Sequence, residues 1–204
     1  LGDYLKTLGT AAAITTAAMT PEAVAGTPTE LVAPDTAIPG FLKAYAENPN
    51  LTINWDEVLK QAADQFQDGS MQRFLINNVL RHPAVQKLRS KNLGLRVVSE
   101  LSEPKFKGFS GMYMPAFNEN DPWIELSYNN IRKKVSETGV LSDTDKAWAM
   151  VLSHEYMHDI TYGLLEWDDS FNNAITRLRQ LAIQESPGKE GLYGFKDNWE
   201  FLSE

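Results

Sequence analysis

The sequence predicts an α+β fold, and three observations carry that prediction. Apolar residues recur at helical spacing through most of the stretch from Phe41 to Leu88. The pattern then switches to β-branched residues around Arg96-Val97-Val98 and to two alternating runs between Gly108 and Ser127. Finally, a cluster of capping residues, Leu141 to Asp145, opens a long segment of helical period.

Residues 1–40 read as a leader and linker, and folded structure is expected over 41–204, with a helical part at 41–92 and a second part at 93–204. From Thr7 to Pro21 there is no charge and the residues are mostly Ala and Thr, with Ala23-Val24-Ala25-Gly26 following. The run suits a flexible or Ala-rich helical leader, a weak export signal with an Ala-x-Ala site, or a partner- or membrane-contacting segment. It is too short and too poor in large apolar residues for a stable membrane span. Thr27 to Pro39 holds three prolines and reads as an extended linker.

Within the helical part, Phe41 to Glu47 predicts a short helix. Asn54 is placed to cap a second one over Trp55 to Phe66, with Val58, Leu59, Ala62 and Phe66 on one side, and Gly69-Ser70 ends it. Met71 to Leu80 and then Pro83 to Leu88 continue the helical spacing, Pro83 suiting a first helical position.

Leu93 to Leu101 is the first expected strand. Gly111-Met112-Tyr113-Met114-Pro115 and Trp123-Ile124-Glu125-Leu126-Ser127, separated by a polar turn, read as a hairpin. Pro115 restricts the first run to an edge or a strand end. The next helix is expected from about Leu141–Asp145 to Tyr162, with Gly163 as its stop. Another is expected over Phe171 to Gln184, and a last one over Asp197 to Glu204.

Composition excludes several classes. A formal net charge of −8 argues against a general nucleic-acid surface, which needs a basic stripe to displace counterions. The local Lys/Arg clusters, Arg81 through Lys107 and Arg132-Lys133-Lys134, read as a solvated helix face and a loop. With no cysteine there is no disulfide framework and no thiolate ligand, so a transition metal must be held by His and carboxylate. The leader, the linker and a first residue that is not Met suggest a processed product or a piece of a larger precursor or assembly. A secreted, delivered or virion-associated setting is favoured over a cytoplasmic one.

Chemistry concentrates at His154-Glu155-Tyr156-Met157-His158. Histidines four residues apart leave a helix about 40° apart, so both imidazoles can reach one metal ion. Glu155 projects from nearly that face, beside the metal, where a general base for a metal-held water belongs. A catalytic zinc site takes a third protein ligand and leaves one position open. The chain's only other histidine, His82, lies far upstream before Pro83 and suits a surface or capping role. The remaining candidates are downstream carboxylates: Glu166, Asp168, Asp169, Glu185, Glu190, Glu200 and Glu204. Glu200 stands out in an aromatic-rich helix start, although Asp197-Asn198-Trp199-Glu200 also fits a capping box in which Glu200 bonds back to the backbone. Asp159, Asp197 and Glu204 are candidates to accept the second ring N–H of a ligating histidine.

Tyr193-Gly194, followed seven residues after the Tyr by Glu200-Phe201-Leu202-Ser203-Glu204, resembles the C-terminal motif of the gluzincin peptidases related to the anthrax lethal factor catalytic domain. The resemblance covers roughly Gly108 to Glu204, and Leu202-Ser203 stand where that family carries a Phe-Ala pair. A Gly-x-Tyr hairpin such as the one at Gly111 is also seen before the catalytic helix of related small zinc peptidases. The resemblance implies a zincin-like fold and a Zn2+ ion on His154, His158 and Glu200. The edge run at Gly111, Met112 and Tyr113, beside the site, has unpaired backbone groups with which a polypeptide substrate can pair, a reading equally compatible with an ordinary hairpin packed on the core. The resemblance further implies that Tyr193 points its hydroxyl at the reacting centre. The activity so implied is zinc-dependent endopeptidase. The alternative is a structural or self-processing zincin-fold domain of a larger, phage virion-like or injected protein.

Overall fold

The computed structural model describes residues 38–48, 51–117, 120–138, 144–188 and 191–203. The leader and linker through residue 37, the Leu141–Asp143 part of the capping cluster, and the candidates Glu190 and Glu204 lie outside the described residues.

Helix α1 (Gly40–Glu47) is preceded by Ile38, which is already buried, so packing starts slightly before Phe41. α2 (Trp55–Ala63) is capped by the Asn54 side chain, which accepts from Glu57 N–H at 3.3 Å. Its Val58, Leu59 and Ala62 are buried together with Trp55, whose indole N–H donates to Leu93 O at 3.1 Å. α3 (Met71–Leu75) runs into a π turn at Ile76–Leu80, where Arg81 N–H returns to Ile76 O five residues back. The expected single helix is therefore widened in its second half. His82 caps α4 (Pro83–Gln86), its Nδ1 accepting from Ala84 N–H at 3.2 Å.

Three strands follow, β1 (Gly94–Val98), β2 (Gly111–Met114) and β3 (Trp123–Ser127), in spatial order β1-β3-β2. β1 pairs parallel with β3, and β2 pairs antiparallel with it in the register Gly111 to Leu126 and Tyr113 to Ile124. The predicted hairpin is present and β2 is an edge strand, as Pro115 required. One face of the sheet packs on the main core with α1, α2 and the long helix below. The other carries a smaller cluster of Val98, Leu101, Phe106, Met112 and Met114.

α5 (Tyr128–Thr138) starts directly after β3, a helix for which the sequence offered no more than the solvated character of Arg132-Lys133-Lys134. Its Tyr128 and Ile131 are buried, and the Tyr128 ring packs 6.4 Å from that of Trp148. α6 (Thr144–Trp167) is the central helix, buried on most sides by apolar residues and by the polar His154, Glu155, His158 and Asp159. It does not stop at Gly163. Leu165 in the following turn is buried, which offsets the roughly 1 kcal/mol that a mid-helix glycine costs. Asp168 makes the break, accepting from Phe171 N–H at 3.0 Å as the cap of α7 (Asp169–Gln184). A 3-10 turn at Tyr193–Phe195 leads to α8 (Asn198–Ser203). Among the described residues no helix is long and apolar enough to cross a membrane.

Candidate metal centre

α6 brings His154 and His158 to one face, and α8 brings Glu200 against them. Asp197 starts α8 by accepting Glu200 N–H on Oδ1 at 3.0 Å, so the capping half of the predicted box is formed. The Glu200 carboxylate itself turns to the histidines. Oε2 lies 3.3 Å from His154 Nε2 and 3.8 Å from His158 Nε2, and the two Nε2 atoms are 3.0 Å apart. All three residues are buried, and they form a group that could hold a metal ion.

The donor positions fit a tetrahedral ion. A circle through the three atoms has a radius of about 2.0 Å, so an ion slightly off their plane would sit about 2.1 Å from each, a usual length for nitrogen and carboxylate ligands. The donor set is also in the right state. Burial pushes His154 from its ordinary value of 6.5 to about 3, and burial followed by the neighbouring His154 does the same to His158. Both rings are therefore neutral at pH 7, as metal ligation requires. The backbone of Ser203 accepts from the His154 ring, whose Nε2 faces His158 and Glu200.

Glu155 lies beside this group on the same helix. It is 1 % exposed, and among the described residues neither carboxylate oxygen has a hydrogen-bond partner of good geometry. Burial first, and the Glu200 charge second, raise its pKa well above the ordinary carboxylate range, while the nearby Tyr113 backbone offsets this in part. Glu200 is raised chiefly by burial, with His158 and Tyr193 acting the other way. Tyr193 donates from its hydroxyl to Glu200 Oε1 at 2.6 Å.

β2 runs along α6 past Glu155 and Asp159. A Cβ on Gly111 would meet Val151 Cγ1 at 2.7 Å and Glu155 Oε1 at 2.8 Å, so a glycine is what lets the strand come this close. Met112 is fully buried on the far face of the sheet. Tyr113 is buried on the near face, where its hydroxyl meets Asp159 and Ser90. The side chains of Met112 and Tyr113 are thus core.

The other candidates are dispersed. His82 and Asp168 are helix caps, and Glu166, Asp169 and Glu185 are exposed. Asp159 accepts Ser90 N–H at 3.0 Å instead of orienting a ligand. Its position four residues after Glu155, on the face toward β2, was the available signal for that role. For the Ser203 backbone no side-chain pattern could have given notice. Comparisons with protein-family models, with curated proteins and with solved structures returned no match.

Proposed function

We propose that the protein is a zinc-dependent endopeptidase of zincin-like fold, with His154, His158 and Glu200 as ligands and Glu155 as general base. The observation that carries this reading is Glu155. It is a buried carboxylate held against a three-donor group, with no more than a poorly aligned contact to the Tyr113 backbone among the described residues. A buried carboxylate so weakly compensated costs stability, and such costs are retained at sites where chemistry uses them.

Two imidazoles and a carboxylate, with no thiolate in the chain, suit Zn2+ and leave one coordination position open. Bound there, zinc supplies an acidified water and a Lewis acid for a carbonyl. Glu155, made more basic than an ordinary carboxylate by burial, accepts a proton from the attacking water and passes it to the leaving amine. Tyr193, whose single O–H is donated to Glu200 Oε1, turns from it to donate a hydrogen bond to the oxyanion. The outer backbone edge of β2 pairs with an extended peptide.

The test is a peptide library with protein purified without chelator. Stoichiometric zinc, cleavage by the wild type and loss of cleavage in Glu155→Gln with zinc retained are the expected results. Cleavage that Glu155→Gln leaves intact, or zinc without cleavage of any polypeptide including the chain's own precursor, would mean a structural site.

A further inference from the structure

Glu200 and the Ser203 backbone that orients His154 both sit on α8, a helix of six residues. A helix that short does not hold itself, so its position relative to α6 is set from outside. Trp199 on α8 packs against Tyr162 of α6, ring centroids 5.3 Å apart, and α7 adds a polar hold. Asn198 Nδ2, at the first position of α8, donates to Thr176 Oγ1 at 2.7 Å, to Asn172 Oδ1 at 2.5 Å and to Asn172 O at 3.2 Å. A second strap joins the same two segments, since Arg179 Nη1 on α7 donates to Phe195 O at 3.1 Å in the turn that carries Tyr193.

α7 contributes little to the core, Ile175 being its one buried residue, and it supplies no ligand. Its inward polar residues are nevertheless spent on the segment that bears the third ligand. The grip is held at a cost, because Asn198 Oδ1 is buried without a hydrogen-bond partner.

We infer that Asn198, through Thr176 and Asn172, is a positioning residue for the metal centre. The clasp fixes the reach of Glu200 toward His154 and His158, so metal affinity is set in part from a helix that touches no ion. This rests on the reading that the three donors bind zinc. Loss of the clasp lets α8 shift, which moves a ligand and the backbone orienting another at the same time.

The experiment measures two quantities on the wild type, Asn198→Ala, Thr176→Val and the double variant. One is the Zn2+ affinity of chelator-stripped, folded protein by competition with a chromophoric chelator. The other is the unfolding midpoint of the zinc-free form. Expected are a loss of affinity of about 10–100-fold in Asn198→Ala, a smaller loss in Thr176→Val, and a double variant no weaker than Asn198→Ala alone. Zinc affinity within about twofold of the wild type, whatever happens to the zinc-free midpoint, overturns the inference, since a merely structural tie moves stability and not the affinity of the folded protein. If Asn198→Ala does not fold, Thr176→Val decides by the same criterion. A wild type that binds no zinc overturns the reading beneath the inference and the inference with it. A wild type that binds zinc but cleaves nothing leaves the affinity readout in force.

Discussion

Gly111 passes Glu155 so closely that a Cβ on the glycine would stand 2.8 Å from Oε1, with Val151 closing the other side at 2.7 Å. The edge strand and the metal helix are therefore spaced by the absence of one methyl group. Gly111→Ala is expected to cost about 1–3 kcal/mol, the range for overpacking a filled interior. It should also lower peptide hydrolysis, because relief comes from moving β2 or Glu155. Urea unfolding and zinc content report the two effects. Unchanged stability would show that the strand yields freely.

Glu155 gives a pH-dependent prediction for the metal-free protein. Its folded pKa is raised above the unfolded value near 4.5, so its contribution to stability is fully present below that pH and is lost as pH rises through the folded pKa. Glu155→Gln removes this loss. The variant should therefore be more stable than the wild type at neutral pH, with the difference shrinking toward pH 4.5. Unfolding midpoints in chelator across that range test it, and a difference that does not depend on pH would contradict it.

The two histidines act in the opposite sense. Their folded values are lowered from 6.5 to about 3, so the stability they contribute is present above pH 6.5 and falls away as pH drops toward 3. Chelated protein should lose stability on that acid limb, and replacing His154 by Gln should flatten it. Unfolding midpoints of the two chelated proteins between pH 7 and pH 3 test it.

Tyr193 holds Glu200 Oε1 at 2.6 Å, so Tyr193→Phe removes a hydrogen bond to a ligand as well as the donor proposed for the oxyanion. Zinc affinity is expected to fall by up to about 10-fold, in the range for partners of metal ligands. Turnover should fall further, by about 100-fold, as when an oxyanion donor is lost. Chelator competition and kcat separate the two, and a variant changed in neither would make Tyr193 a packing residue.

Asp159 is buried with Oδ2 on Ser90 N–H at 3.0 Å and the Tyr113 hydroxyl facing it. Asp159→Ala leaves that backbone donor unsatisfied and should destabilise the protein by about 1–3 kcal/mol. Faster amide hydrogen exchange at Gly111 to Met114 would locate the loss at β2.

The helical front, the β switch and the hairpin were legible because each rests on local period, and Asn54 and His82 cap where the sequence placed them. His154, Glu155 and His158 share one helix, so a single spacing rule reads them. Helix ends were harder. Gly163 looked like a stop, but burial of Leu165 outweighs its propensity, and that burial depends on tertiary neighbours. Glu200 remained ambiguous between cap and ligand because the two differ in side-chain direction, which the spacing Asp197 to Glu200 does not encode. The clasp on Asn198 joins residues more than twenty positions apart through polar side chains that follow no period.

Because α8 supplies Glu200 and the backbone that orients His154, the order of synthesis acquires a meaning. A growing chain carries the histidine pair and Glu155 long before the segment from Tyr193 onward has been made. Until that segment docks on α6, the pair lacks the third donor and His154 lacks its brace. On the proposed function, hydrolytic competence is thereby withheld from partly synthesised chains, whose unfolded neighbours are the nearest polypeptides to hand.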